Sequence, residues 1–145
     1  MRGGFLHNSI LLNPIETHFL QLGAEVRREH RTESSGFLGF VDLFVLLGVH
    51  RLVFEAELSA DRVHRDVSKA IQLEATQLLI VVPCSRLVRS IRRRLRPHER
   101  TRNGMRVSVL TLGGVLHQVR HQFPLFSSLD PHWKPAQSPW GQNEG

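Results

Sequence analysis

The sequence predicts an α/β domain, and three observations carry that prediction. Short apolar runs rich in Val, Leu and Phe, at Phe40 to Gly48, His50 to Leu58 and Gln77 to Val82, read as strands. A helix start at Asn13-Pro14 and two stretches with apolar residues at helical spacing, from Arg62 and from Arg86, read as helices. The chain has 145 residues, which is one domain by length and enough to bury a single core.

The elements follow in order. Asn13 as N-cap and Pro14 as first helical residue open a helix running to Leu22, with Glu16 in its first turn complementing the helix dipole. A strand from Glu25 to Glu33 comes next. The runs Phe40–Gly48 and His50–Leu58 form a hairpin turning at Gly48, and so short a connection makes them antiparallel. The helix from Arg62 to Ala75 takes Asp61 as N-cap and buries a stripe of Val63, Val67, Ala70 and Ile71. Its other side presents Arg62, Arg65, Asp66, Lys69 and Gln72. After the strand Gln77–Val82, an amphipathic surface helix sets Leu87, Val88, Ile91 and Leu95 among arginines. Residues Arg106 to Gln122 read as one or two further strands turning at Gly113-Gly114, so His117 and His121 share no helix face. The expected domain spans residues 1–122. Residues 123–145, with Pro124, Pro131, Pro135 and Pro139, read as an irregular tail holding Trp133 and Trp140.

Within this frame the hairpin carries charge where a core calls for none. Asp42, Glu55 and Glu57 sit inside strongly apolar stretches, and an isolated carboxylate removed from water costs several kcal/mol unless paired, protonated or metal-bound. Alternation puts Glu55 and Glu57 on one face of their strand, where Asp42 can meet them from its neighbour. Converging carboxylates without Cys or His at ligand spacing describe an oxygen-only site suited to Mg2+ or Mn2+, and metal-assisted attack on phosphate. The other reading is a sheet edge whose acids face water. There is no Gly-x-Ser-x-Gly elbow, no phosphate-binding Gly-x-x-x-x-Gly-Lys loop and no Cys-x-x-Cys pair.

Val41-Asp42, a gap, then Glu55-Ala56-Glu57 resembles the motif of the PD-(D/E)XK nuclease superfamily, the restriction-endonuclease-like fold. The order helix, strand, hairpin, helix, strand over roughly residues 10 to 112 is similar as well. The chain differs from the pattern at two places: Val41 stands for the motif proline and Glu57 for the motif lysine. Some superfamily members carry glutamate at the lysine position and remain active, and in others the lysine has moved to the following helix. The resemblance implies an αβββαβ core, with a central mixed sheet flanked by helices. It implies catalytic roles for Asp42, Glu55, Glu57 and Lys69. Asp42 and Glu55 would hold the metal, Glu57 would be a further ligand or the base, and Glu16 a metal-adjacent carboxylate on the first helix. Lys69 is the candidate relocated lysine, one of only two lysines among nineteen basic residues. Its alternative is a surface pair with Asp66.

A net charge of +6 favours a polyanionic partner. The apolar stripe of the arginine-rich helix is short and lacks Phe or Trp, which favours a helix docked on the core over one lying on a membrane. Arg62, Arg65, Arg86, Arg89, Arg93 and Arg96 are the expected DNA-binding residues. Arg65 could clamp a phosphate in bidentate fashion, and a merely solvated face is the alternative for both helices. A single cysteine, Cys84, excludes an internal disulfide and fits a reducing cytoplasm. The chain also lacks both a membrane span and a secretory signal. Together these imply a cytoplasmic Mg2+- or Mn2+-dependent endodeoxyribonuclease. Its competitor is a binding or dimerisation module on the same fold that no longer cuts, and a homodimer stays open.

Overall fold

The computed structural model describes residues 11–32, 39–95, 101–102 and 104–125. These form α1 (Asn13–Gln21), β1 (Glu25–Arg31), β2 (Phe40–Leu47), β3 (His50–Ala56), α2 (Val63–Gln72), β4 (Gln77–Val82), α3 (Ser85–Arg94), β5 (Thr101–Arg102), β6 (Met105–Thr111) and α4 (Leu112–Gln122). The strands make one mixed sheet in the order β1-β2-β3-β4-β6-β5. β1, β2 and β3 are an antiparallel meander, β4 and β6 add in parallel, and β5 returns antiparallel to β6. Parallel neighbours need a crossover, and α2 and α3 supply the two that this sheet requires. No helix among the described residues is long and apolar enough to cross a membrane.

Burial follows from each strand's position. β4, Gln-Leu-Leu-Ile-Val-Val, lies between two parallel partners and is buried at every residue, as a near-continuous apolar run must be when helices cover both faces. β1, Glu-Val-Arg-Arg-Glu-His-Arg, is an edge strand of alternating exposed and half-buried residues, and its charges discourage pairing with another chain. Two cores result. On one side Val53, Leu78, Ile80 and Val82 pack with Val63, Val67 and Ala70 of α2 and with Val88 and Ile91 of α3. On the other, Leu52, Phe54, Leu79 and Val81 pack with Ile15 and Phe19 of α1 and with Val115 and Val119 of α4.

The C-terminal region departs from the sequence expectation. Only Met105–Thr111 is strand; Leu112–Gln122 is helix, and Gly113-Gly114 occupies its first turn rather than a hairpin bend. The Thr111 hydroxyl caps this helix, accepting from the Gly114 amide at 3.3 Å. A Cβ on Gly114 would sit 3.3 Å from the Leu110 Cβ, so this glycine provides close approach, not chain reversal. The overlooked signal is Val115, Val119 and Phe123 at a spacing of four, all buried. Phe123, expected to begin the tail, packs its ring 5.5 Å from Phe19 and 4.9 Å from His50, and its carbonyl lies 2.7 Å from His18 Nε2. His117 and His121 do share a helix face, with ring centroids 6.5 Å apart. Trp133 and Trp140 lie outside the described residues.

α1 and α2 end in the same way, but with different residues. After Leu22, the Gly23 amide donates to Leu20 O and the Ala24 amide to Phe19 O, with Gly23 at φ 80°. After Leu73, the Glu74 amide donates to Ile71 O and the Ala75 amide to Ala70 O, with Glu74 at φ 58°. Both are Schellman closures, which place one residue in the left-handed region where glycine is favoured. At α2 the strain is offset by Arg51, whose guanidinium donates to Leu73 O at 2.6 Å and to Glu74 O at 3.2 Å while lying over the Phe44 ring. Glu74→Gly is expected to raise unfolding stability by about 0.5–1 kcal/mol, and Arg51→Ala to lower it by about 1–3 kcal/mol. Urea denaturation of the two variants checks both signs.

Candidate metal centre

The site forms where β2 and β3 part. Their ladder runs from Leu47↔His50 to Leu43↔Phe54 and stops, so Asp42 and Glu55 are not paired through the backbone. β3 continues along β4 instead, with Glu55↔Ile80 and Ala56↔Val81 in register and the Glu57 amide donating to Val81 O. The Ala56 amide faces the gap and donates to Asp42 Oδ2 at 2.8 Å, so the carboxylate replaces a missing strand carbonyl. On β1 the residue opposite Asp42 is Glu29, absent from the ladder and at φ 51°. Past this irregularity Val41 joins the same core as Phe44, although strict alternation would separate them.

Alternation along β3 sends Leu52, Phe54 and Ala56 to the α1 side and Val53, Glu55 and Glu57 to the α2 side. α2 crosses this second face. It turns toward the sheet not only its apolar stripe but also Asp66 and Lys69, which are 1% and 8% exposed. Glu55, Glu57 and Asp66, all buried, each bring a carboxylate oxygen to within 4.8 Å of the others. Lys69 Nζ lies 3.0 Å from Glu55 Oε2 and 3.6 Å from Asp66 Oδ1, and donates to Phe40 O at 2.8 Å. The Glu55–Lys69 contact is a close, charge-assisted one. Asp66 Oδ2 is buried with no hydrogen-bond partner.

Electrostatics of this group are strained in one direction. Burial, then the neighbouring Asp42 charge, push the Glu55 carboxyl well above its usual range, and Lys69 only partly opposes them. Asp66 is likewise raised, by burial and then by the carboxylates of Glu55 and Glu57. Burial alone would lower the Lys69 ammonium, but Glu55 and Asp66 outweigh it, so Lys69 is held as a firm cation. Fully ionised, the three clustered carboxylates with Asp42 beside them would exceed the single Lys69 ammonium in charge, and a divalent cation would offset part of that excess. The donors are all carboxylate oxygens, a hard, oxygen-only set. The buried Asp66 Oδ2, which has no hydrogen-bond partner, is what such an ion would satisfy.

Of the residues expected from sequence, Glu55, Glu57 and Lys69 come together. Asp42 is half-buried beside them, acting on Glu55 and Lys69 through its charge, but its Oδ2 is engaged by the Ala56 amide. The third carboxylate of the cluster is Asp66, expected in the polar row of this helix or as a surface partner of Lys69 but not as a ligand. Its signal was its place one residue before Val67 and three before Lys69, on the turn that also carries the buried stripe. Glu16 is elsewhere. It is held by Arg28 at 2.7 Å, on a helix that packs against the opposite face of the sheet, so it is not among the clustered acids. Arg62 and Arg65 are exposed on α2, and the Arg65 Nη2 lies 3.6 Å from where a Gly39 Cβ would stand, next to the Lys69 stem. Arg86, Arg89 and Arg93 are exposed on α3, whereas Arg96 lies outside the described residues.

Among known proteins, the chain matches no family model, no curated protein and no solved structure.

Raised carboxyls give the folded protein more bound protons than the unfolded chain from about pH 4 upward, so stability falls as pH rises through their folded values. Without metal, the urea midpoint is expected to fall from about pH 5 to about pH 8, and to fall less in Asp66→Asn. Equal slopes in the two proteins would show that the cluster does not titrate this way.

Proposed function

We propose that the protein is a divalent-metal-dependent nuclease that hydrolyses phosphodiester bonds in DNA, on a restriction-endonuclease-like scaffold. The observation that carries this reading is the buried Glu55–Glu57–Asp66 cluster with the Lys69 ammonium at its side. The scaffold assignment is supported by the element order α1-β1-β2-β3-α2-β4, with an antiparallel meander followed by a parallel strand. The DNA assignment is supported by the net charge of +6 and by exposed arginines on α2 and α3, which pack on the same side of the sheet as the cluster.

Glu55, Glu57 and Asp66 would hold Mg2+ or Mn2+, and the ion would supply Lewis acidity and a water of lowered pKa. The chain's own groups do the rest. Lys69, tethered by Phe40 O, presents a fixed positive charge to a phosphate oxygen as negative charge develops there. Arg65 stands beside it and can hold a second phosphate oxygen through its planar fork. Glu57, next along the chain to exposed Leu58, is suited to take a proton from the attacking water.

A second reading is a module of the same scaffold that binds nucleic acid without cutting it. It is favoured by the low exposure of Glu55 and Asp66, 2% and 1%, and by the Lys69 ion pair, which partly neutralises the cluster by itself.

Incubation with supercoiled plasmid distinguishes the two. Nicking is expected with Mg2+ or Mn2+ and not with chelator, absent in Glu55→Gln and Asp66→Asn, and reduced about 10²- to 10³-fold in Lys69→Met. A gel shift of intact DNA with no nicking under any of these conditions supports the second reading instead. Mg2+ or Mn2+ is also expected to raise the melting temperature of the wild type and not of Asp66→Asn. An unchanged wild-type melting curve would remove the metal from the site.

A further inference from the structure

α4 carries a pair of side chains that the proposed chemistry does not use. Val115, Val119 and Phe123 face the core, so His117 and His121, on the far side of the same turns, face outward and are exposed. Four residues apart on a helix, they stand one above the other. Their rings are nearly parallel, with 10° between the planes and 6.5 Å between centroids. His18, His30 and His50 have structural duties: buried His18 meets the Phe123 carbonyl, His30 stacks on Phe44, and His50 sets its ring against Phe123. The ring contact of His117 and His121 is with each other.

The backbone that carries the pair is fixed. The Phe123 amide closes the helix on Val119 O at 2.8 Å, the Phe123 ring packs against Phe19 and His50, and Gln122 Nε2 donates to Gln77 Oε1 at 3.2 Å. Little backbone entropy is then lost when both imidazoles engage one ligand. Two histidines at this helical spacing are the arrangement by which a helix grips zinc. With a nitrogen–metal distance of about 2.0 Å plus the half-width of each ring, two imidazoles on one ion have centroids no more than about 6 Å apart. A small turn of these exposed side chains closes them on an ion. Among the described residues no third His, Cys, Asp or Glu joins the pair. Arg120, exposed in the same turn, adds a charge that repels cations. The pair therefore suits an ion that bonds strongly to nitrogen over one held by charge alone, which selects Cu2+, Ni2+ and Zn2+ against Mg2+ and Ca2+.

We propose that His117 and His121 form a second metal site, which chelates one Cu2+, Ni2+ or Zn2+ ion through both imidazoles and leaves water to complete its coordination. α4 packs on the opposite face of the sheet from α2, so this site is separate from the acidic centre in place as well as in donor chemistry. The ion clasps the last two turns of α4, just before the Phe123 that packs into the core on this face. Nothing in the inference depends on the phosphodiester reading.

The test uses the full chain, stripped with chelator, and follows CuCl2 and ZnCl2 binding by isothermal titration and by melting temperature. Both ions should bind and raise the melting temperature in wild type and equally in Asp66→Asn, where MgCl2 should do neither. His117→Gln and His121→Gln should each weaken binding of both ions about tenfold or more, since each removes one arm of a chelate. Both side chains are exposed, so the variants should keep the wild-type far-UV circular dichroism. At one equivalent of Cu2+, electron paramagnetic resonance should show coupling to two nitrogens in wild type and to one in either variant. Unchanged binding in both variants would overturn the site. A loss in one variant alone would overturn the chelate and leave an isolated imidazole contact in its place.

Discussion

Everything at the centre of this protein answers to one constraint: Glu55, Glu57 and Asp66 are withdrawn from water side by side, with the Lys69 ammonium beside them. Carboxylates in that situation must be neutralised by protons, by an ammonium or by a metal. The local backbone is organised around that need. β2 leaves β3 one residue before the acids begin, Asp42 closes the gap by taking up the amide that the departing strand no longer pairs, and α2 rotates two charged residues toward the sheet. None of these features would improve an ordinary core.

The two faces of the sheet divide the work. On the α1 and α4 side the packing is largely apolar, with the Phe19 ring in contact with those of Phe54 and Phe123, and with buried His18 held by the Phe123 carbonyl and buried Gln77 by Gln122. On the α2 and α3 side the apolar core borders the buried acidic cluster.

Much of this was legible from the residues. Helical and two-residue periodicities located the first six elements, and β4 falls at its expected bounds because a run of six buried residues has no alternative periodicity. Glu55 and Glu57 were readable because β-alternation is rigid. Asp66 was not, since a charged residue on an amphipathic helix is ordinarily solvated and only tertiary packing shows that the helix is turned inward. Glu16 misled for a related reason: an acid in a first helical turn is equally at home beside a dipole, and here Arg28 claims it. α4 was missed because two glycines looked like a turn, when Gly114 instead permits contact with Leu110.

The clustered acids and their lysine all come from residues 55 to 69, one strand end and the helix that follows it. Such proximity along the chain means that little loop must be closed to assemble the centre, so it can take shape as soon as β3, α2 and β4 dock. The acidic centre is therefore a compact β-α segment set into a larger frame. Drift in the outer hairpin strand or at either terminus would alter what reaches it, but not what it is made of.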